Sequence, residues 1–382
     1  MSSIFRNLEN KTNIFSKPDF ILLNLLRTAI SGAESENETF GGLSGEQWRE
    51  VFKLSQRQGV GAVALEGVEH FPAEYRPPKN VLLEWIGQSF AIENHYNKHL
   101  CLAKELASKW AEAGIRTMVF KGVAHSRYYP VPSHREFGDF DCYLFSADDD
   151  SNRQGCDTFK RGNRLAQVFG AEVDDGWYKH SKICYKELTV ENHQYFTAAR
   201  GSKKAKELNA YMVETLGDGS HLEKFGNSEI LLPSIESEGL FMLYHSQMHF
   251  LVEGITLRHF VDWAFWIKTN QNNIVWSNFF AHCKQFGLDH FAAVSNAIAE
   301  DYFGVALNEE INKDCTYSEK VILSALYDDS AIYNRSKGRW YERFHLISNA
   351  FKYSWKFREV AHYNLWEYLW SYVRGFIFRD EE

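Results

Sequence analysis

Two aspartates, Asp139 and Asp141, lie one residue apart in the otherwise apolar segment FGDFDCYL, residues 137–144. Side chains alternate between the two faces of an extended strand, so both carboxylates share a face with Tyr143. Two like charges on a partly buried surface repel each other and lose hydration, so they need a neutralising partner. A divalent cation is the simplest such partner, and the spacing therefore predicts a metal site on a strand.

Two further segments carry residues that fit this chemistry. The strand candidate IRTMVFKG ends in Lys121 and Gly122, and a glycine there lets the backbone approach a phosphate group closely. The later segment LTVENHQYF places Glu191 on one strand face with His193, and Glu187 is the alternative third carboxylate. Three carboxylates on adjacent strands are typical of a Mg²⁺ site, because this ion takes oxygen ligands and shares them with nucleotide phosphates.

The same residues have plainer structural interpretations. Lys121 and Arg135 either contact phosphates or simply pair with the carboxylates, and Gly138 is compatible with an ordinary turn. Glu191 is either a metal ligand or a solvent-facing strand residue. A structural role is the commoner one for a histidine such as His193.

Two pairs with a spacing of four residues lie further along the chain. His245 and His249 have a helical spacing that can bind zinc, but the segment HSQMH lacks the glutamate of the metalloprotease motif, which favours a packed or exposed pair. Arg258 and Asp262 are most simply interpreted as an ion pair within one helix. A contact between Arg258 and a nucleotide is the sharper alternative.

Patterning divides the chain into three regions. Apolar residues at helical spacing predict a helical region over residues 1–110, including a break at Gly59 and a helix that ends before Gly114. Strand patterns alternate with helices over residues 111–234. The pattern of residues 235–382 is helical again. The fold class expected is therefore α+β, with the sheet between two helical regions.

Composition and charge limit the classes of function. The chain has 382 residues and a formal net charge of −8, which argues against binding long duplex nucleic acid through its phosphates. Its six cysteines form no CxxC pair, which is typical of reduced and mostly buried thiols. The N-terminal residues lack a secretion-signal pattern, and no apolar run is long enough for a membrane helix. We therefore expect a cytoplasmic protein without a transmembrane segment.

The segment GIRTMVFKGVAHSRYYPVPSHREFGDFDCYLF resembles the uncharacterised nucleotidyltransferase family of the polymerase-β-like superfamily. That family has an apolar strand into Lys-Gly, a Tyr-Pro, then Arg, Gly and Asp-x-Asp. The matching positions here are Lys121, Gly122, Tyr129, Pro130, Arg135, Gly138, Asp139 and Asp141. The segment TVENHQ resembles a later Val-Asp-x-His element, with Glu191 in place of the Asp, and LRHFVDWAFWI resembles a Leu-Arg-x-x-x-Asp helix. The resemblance covers about residues 40–270.

The resemblance implies a polymerase-β-like core, a mixed sheet with flanking helices. It also implies transfer of a nucleoside monophosphate from a nucleoside triphosphate to an acceptor, with Mg²⁺ as cofactor and Mn²⁺ as the alternative ion. The implied catalytic and metal-binding residues are Asp139, Asp141 and Glu191. The implied nucleotide-binding residues are Lys121, Gly122, Arg135, Gly138, His193 and Arg258. A small molecule or a protein is the favoured acceptor class.

One departure from the wider superfamily leaves a second hypothesis open. That superfamily usually has Gly-Ser at the first motif, where the serine holds the triphosphate, whereas Val123 and Ala124 follow Gly122 here. The alternative is therefore an inactive nucleotide-binding or scaffold protein with the same fold. A dehalogenase-type phosphatase has its aspartate pair at the end of the first strand, followed by Thr or Val, whereas here a helical region precedes the pair and Tyr143 follows Cys142. The Asp-x-Asp of a glycosyltransferase should follow a nucleotide-binding α/β half, and the sequence shows none before Asp139.

Overall fold

The chain forms a mixed sheet with helices before, between and after its strands. The computed structural model describes residues 14–33, 43–146, 156–176, 178–197, 202–217, 219–328 and 339–370. The α-helices in these residues are α1 (Lys17–Ser31), α2 (Gly45–Arg57), α3 (Gly61–Glu69), α4 (Lys79–Glu112), α5 (Val123–Ser126), α6 (Cys156–Val168), α7 (Lys203–Glu214), α8 (Ile235–Met248), α9 (Leu257–Asn270), α10 (Trp276–Phe286), α11 (Asp289–Asp301), α12 (Ser318–Tyr327) and α13 (Arg339–Lys352). The strands are β1 (Arg116–Val119), β2 (Asp139–Phe145), β3 (Glu172–Asp174), β4 (His180–Tyr185), β5 (Leu188–His193), β6 (Glu223–Lys224) and β7 (Ile230–Leu232). Two π-helical turns cover His249–Glu253 and Lys356–Val360.

Helices α1 to α4 begin and end where local sequence chemistry predicts. Helix α1 starts after Ser16, which exchanges hydrogen bonds with Asp19 in a capping box. Gly59 has a φ of +64° and separates α2 from α3, as predicted. Gly114, with a φ of +74°, follows α4 and lets the chain turn into β1.

The N-terminal helices pack closely through small residues. Helix α3 crosses α1 at Gly67, where an added Cβ would lie 2.2 Å from the carbonyl oxygen of Leu25. Helix α2 buries Trp48, Val51, Phe52 and Leu54, which lie at helical spacing. In α4, Leu106 and Trp110 are fully buried and Leu102 is half-buried, so this side of the long helix faces inward.

The strand order across the sheet is β3-β4-β5-β2-β1-β7-β6. Strand β2 runs antiparallel to β1 and parallel to β5, whereas β4 and β5 form an antiparallel hairpin. The predicted α+β class with a mixed sheet is therefore confirmed. Because β2 lies at the centre, its side chains are surrounded by those of β1 and β5.

Alternation along β2 separates two apolar clusters. Tyr143 and Phe145 belong to the larger cluster, which also holds side chains of the N-terminal and C-terminal helices. Phe140, Cys142 and Leu144 belong to a smaller cluster beneath α4 and α6. The face predicted for the two aspartates is therefore the face toward the larger cluster.

Side chains from all three regions meet in the larger cluster. The larger cluster contains Leu22 of α1, Phe120 after β1 and Trp263 of α9. Burial of apolar surface is the main favourable term in folding, so these regions stabilise one another. The division at residues 110 and 234 and the polymerase-β-like identity of the core stay predictions.

The structure shows which of the described cysteines are buried and whether a described helix could span a membrane. Cys142 and Cys283 are buried, but Cys101, Cys184 and Cys315 are exposed, so the prediction of mostly buried thiols was wrong for the described cysteines. Cys101 on α4 and Cys184 on β4 take outward positions, and Cys315 lies in the segment before α12. Within the described ranges, none of the helices has the length and hydropathy needed to span a bilayer.

Candidate functional site

Parallel pairing of β2 with β5 creates the acidic site. The register places Asp141 opposite Glu191 and Asp139 opposite Thr189. Side chains at paired positions of neighbouring strands project from the same face, so the carboxylates of Asp139, Asp141 and Glu191 form one group. Asp139 begins β2 and is exposed, whereas Asp141 is only 2% exposed. The acidic site therefore extends from the exposed start of β2 into the protein interior.

Asp141 is held by two cationic or polar neighbours. The Nζ of Lys121 donates to Oδ1 of Asp141 at 2.9 Å, and Nε2 of His193 lies 3.3 Å from the same oxygen. Burial alone would raise the pKa of Asp141, but Lys121 and His193 lower it far below its ordinary value. Asp141 is therefore ionised at neutral pH. Lys121 joins the end of β1 to β2.

Asp139 carries charge that its surroundings do not neutralise. Burial raises the pKa of its carboxyl group, and the negative charges of Glu191 and Asp141 raise it further. The lysines Lys121 and Lys182 oppose this rise without cancelling it. A cation at this position would relieve the repulsion among the three carboxylates.

Glu191 lies between two histidines from the β4–β5 hairpin. Its Oε2 is 3.4 Å from Nε2 of His193, and its Oε1 is 3.6 Å from Nε2 of His180. Burial would raise the pKa of Glu191, but the hydrogen bond from His193 and the charge interaction with His180 lower it overall. The alternative carboxylate, Glu187, lies in the hairpin turn and pairs with Lys98, so it is directed away from this group.

The donor set suits a hard divalent cation in type and charge, since carboxylate oxygens are the ligands that Mg²⁺ takes. The three carboxylates do not form a closed ligand cage. In the described residues, two sets of three side chains have ligand atoms that all lie within 4.8 Å of one another: His180 with Glu191 and His193, and His245 with His249 and His259. The three carboxylates therefore suit a divalent cation in ligand type and lie on adjacent strands. Asp141 also forms an ion pair with Lys121.

The glycines of the motif have different roles. Gly122 has φ +62° and ψ −104°, a conformation closed to other residues, and an added Cβ would lie 3.5 Å from the carbonyl oxygen of Asp139. It makes the sharp turn from β1 into α5, which leaves Lys121 facing β2. Gly138 has open space around it, so no neighbour in the described part of the chain requires a glycine there.

Arg135 is buried, and its guanidinium group pairs with Asp262. Its Nε and Nη2 donate to the two carboxylate oxygens of Asp262 at 3.0 and 2.8 Å, and Tyr129 donates to the same carboxylate at 2.6 Å. Burial would raise the pKa of Asp262, but Arg135 holds it well below its ordinary value. The interpretation of Arg258 and Asp262 as an ion pair within one helix was wrong, because Asp262 pairs with Arg135 across the fold.

Arg258, which belongs to α9, packs against the segment between α2 and α3. Its backbone N–H donates to the carbonyl oxygen of Gln58 at 3.3 Å, and its Nη1 donates to the carbonyl oxygen of Glu136 at 3.4 Å. Its side chain covers Gly59, where an added Cβ would lie 3.3 Å from Cδ of Arg258. Of the predicted nucleotide-binding residues, Lys121 and His193 contact Asp141 directly. Arg135 pairs with Asp262, and its Nη1 lies 3.9 Å from the position of an added Cβ on Gly122. Arg258 contacts Gln58, Gly59 and Glu136.

Two buried groups escaped the sequence prediction. Glu238 of α8 is fully buried and accepts hydrogen bonds from Arg127 at 2.7 Å and Tyr128 at 2.5 Å. His125 lies between two acids, with Nε2 3.9 Å from Glu238 and Nδ1 3.6 Å from Asp262. His180 was also missed, although its alternation with Lys182 on β4 could have placed it beside Glu191.

Phe120 forms the aromatic layer beneath the acidic group. Its ring packs edge-on against His193 at 5.0 Å between centroids and against Phe241 of α8 at 4.8 Å. Phe196 packs against the same ring at 5.1 Å. This layer fixes the orientation of His193 and links β1 to the C-terminal helices.

A family model described as uncharacterised nucleotidyltransferase matches residues 44–304. The matched range contains the whole sheet, the acidic group and the helices α8 and α9. No curated protein matches the chain, and no solved structure matches it either.

Proposed function

The chain belongs to the uncharacterised nucleotidyltransferase family, and from this premise we propose that it transfers a nucleoside monophosphate from a nucleoside triphosphate to an acceptor with the aid of Mg²⁺. The observation that carries the proposal is the pairing of Asp141 with Glu191 on parallel strands, with Asp139 on the same face. These three carboxylates would hold the ion. Bound there, Mg²⁺ supplies charge neutralisation for the triphosphate and polarises its α-phosphate.

The protein's own side chains have distinct roles in the proposal. Lys121 is about a quarter exposed, with 27% of its side chain accessible, so its ammonium group can bind phosphate oxygens at the opening of the site. Glu191 accepts the proton of the acceptor hydroxyl. His193 holds Asp141 and Glu191 in position, and Phe120 beneath it excludes water from one side.

The proposed transfer is a substitution at the α-phosphorus and requires no oxidant or further reactant. The acceptor oxygen forms a bond to the α-phosphorus, the bond from that phosphorus to the bridging oxygen of the β-phosphate breaks, and pyrophosphate leaves with the electron pair. The proton lost by the acceptor passes to Glu191.

A second candidate function is nucleotide binding without transfer. The engagement of Asp141 by Lys121 and the residues Val123 and Ala124 after Gly122 favour it. In this form the protein would bind a nucleoside triphosphate with Mg²⁺ and release no pyrophosphate.

The test measures both binding and turnover. Purified protein is incubated with each nucleoside triphosphate labelled at the α-phosphate, with Mg²⁺ and a cell extract, and label transfer and pyrophosphate are followed. The double variant Asp139→Asn/Asp141→Asn should lose about 10²-fold or more of the activity. The variant Glu172→Gln, which removes an exposed carboxylate from the edge strand β3, is the matched control.

Three outcomes separate the candidates. Activity in the wild type and Glu172→Gln that is lost in the double variant supports transfer at this site. Mg²⁺-dependent nucleotide binding in the wild type without pyrophosphate release supports the second candidate. Equal transfer by the wild type and the double variant would remove the acidic group from the mechanism.

A further inference from the structure

Three histidines meet where helices α8 and α9 join. His245 lies in the last turn of α8, His249 begins the π-helical turn one helical turn later, and His259 lies in the first turn of α9. Gly254, with a φ of +90°, allows the chain to reverse between the two helices. A π-helical turn interrupts regular hydrogen bonding, and such turns are frequent at functional sites.

The spacing of their ring nitrogens suits a metal ion. The two Nε2 atoms of His245 and His249 are 3.2 Å apart, and one ligand atom of His259 lies within 4.8 Å of both partners' ligand atoms. In a tetrahedral zinc site with Zn–N bonds of about 2.0–2.1 Å, ligand nitrogens are separated by roughly 3.3 Å. The first pair therefore already has the separation of two ligands of one ion.

The surroundings of His259 prepare it for binding through Nε2. Its Nδ1 lies 3.1 Å from the hydroxyl and 3.3 Å from the carbonyl oxygen of Thr256. The backbone nitrogen of Thr256 also lies 3.3 Å from Nδ1, so Thr256 engages this ring nitrogen and Nε2 is the one left to bind a metal ion.

We propose that His245, His249 and His259 form a binding site for a transition metal ion of the zinc class, Zn²⁺ or Co²⁺, with a further coordination position for water. The proposal does not depend on nucleotide transfer. Imidazole nitrogens select such ions, whereas Mg²⁺ takes oxygen ligands, so the two proposed sites have different ion preferences.

The site would lie one aromatic layer from the acidic group. Phe241 packs on Phe120 at 4.8 Å and on His245 at 6.0 Å between ring centroids, and Phe120 contacts His193. A metal ion bound to both α8 and α9 would hold these helices against the end of β1. The bound metal ion would therefore position the aromatic layer of Phe120 and Phe241 behind Lys121.

The test is a titration of the metal-free full chain with Zn²⁺ by calorimetry and with Co²⁺ by visible absorption, both in excess Mg²⁺. We expect one equivalent to bind and the Co²⁺ spectrum to be that of a four-coordinate site. The variant His249→Gln should lose at least tenfold in affinity. His290→Gln, which removes a histidine that stacks on His362 outside the cluster, should bind like the wild type.

Two controls keep the test decisive. His180→Gln alters the other candidate set, which includes Glu191, so loss of the bound equivalent in that variant, with normal binding by His249→Gln, would overturn the proposal. If His249→Gln does not fold by circular dichroism, X-ray absorption of the zinc-loaded wild type replaces it. A shell with three imidazole nitrogens supports the site, and a shell with one or two imidazoles and carboxylate oxygen overturns it. Absence of Zn²⁺ binding by the wild type also overturns it.

Discussion

Arg135 and Asp262 form a buried two-point ion pair between residues 127 positions apart in the chain. Arg135 precedes β2, and Asp262 lies in the middle of α9, so the pair joins the sheet region to the C-terminal helices. Tyr129 adds a hydrogen bond to the same carboxylate at 2.6 Å. The motif arginine thus connects two regions of the fold and holds the segment that leads into Asp139.

Removing the charge of Asp262 should strongly destabilise the protein. In Asp262→Asn the guanidinium of Arg135 stays buried without its partner, and we expect a loss of about 3–5 kcal/mol in the free energy of unfolding, measured by urea denaturation. The double variant Arg135→Met/Asp262→Leu should recover part of that loss, because it removes both charges. A loss in Asp262→Asn below about 1 kcal/mol would contradict the importance of the pair.

The pH dependence of this contribution follows from its sign. Burial would raise the pKa of Asp262, but Arg135 depresses it well below the unfolded-state value. A depressed carboxyl pKa stabilises the folded state above the unfolded-state pKa. The difference in stability between wild type and Asp262→Asn should therefore be constant from pH 7 to 5 and shrink only below about pH 4.

His134 should stabilise the protein in acid and lose its effect in base. Its Nδ1 is 2.5 Å from Glu66, and its Nε2 is 3.1 Å from Glu93, so it bridges α3 and α4. Burial alone would lower the pKa of His134, but these two glutamates raise it overall. A raised histidine pKa contributes stability that is complete below the unfolded-state value of about 6.5 and is lost as the pH rises through the folded-state value.

The measurement compares the wild type with His134→Gln by urea unfolding between pH 5.5 and 8.5. The free energy of unfolding of the wild type should exceed that of His134→Gln by the largest amount at the acidic end of this pH range. His221→Gln, which removes a histidine bonded to a backbone carbonyl rather than to an acid, serves as the control. A difference that grows with pH would refute the assignment of charge to His134.

The two glycines of the motif should respond differently to alanine. In Gly122→Ala the backbone at φ +62° and ψ −104° would carry a Cβ, and we expect a loss of about 1–3 kcal/mol in unfolding free energy. Gly138→Ala meets open space and should change stability by less than about 0.5 kcal/mol. Weaker nucleotide binding by stable Gly138→Ala would show that a ligand approaches the backbone there, and equal losses of stability in both variants would contradict the prediction.

A pair of helical glycines tests the packing of the N-terminal region. In Gly67→Ala the new methyl group would lie 2.2 Å from the carbonyl oxygen of Leu25, so α1 and α3 must move apart at a cost of about 1–3 kcal/mol. Gly87→Ala in α4 meets no atom within 4 Å and should stabilise the protein by about 0.5–1 kcal/mol. Urea unfolding of both variants should therefore give changes of opposite sign, and changes of one sign would refute the close crossing.

Much of the local structure could be predicted from residue patterns. The aspartates share a strand face with Tyr143 because side chains alternate along a strand, and Gly59 and Gly114 end helices because they adopt positive φ. The expectation for Arg258 and Asp262 failed because helical spacing shows which residues can meet on one helix. It does not show whether a partner from elsewhere in the chain binds more strongly.

The sequence by itself determined the α+β class, the family and the carboxylates of one strand face, because periodicity, turn residues and a motif are local properties of the chain. Only the tertiary structure decided that Asp141 holds Lys121, that Glu191 rather than Glu187 stands opposite it, and that His259 joins His245 and His249. The physical reason is that strand register and helix crossing are set by burial of apolar surface over the whole fold. That packing also determines which groups surround a buried charge, so no short segment of the sequence specifies the partners of that charge.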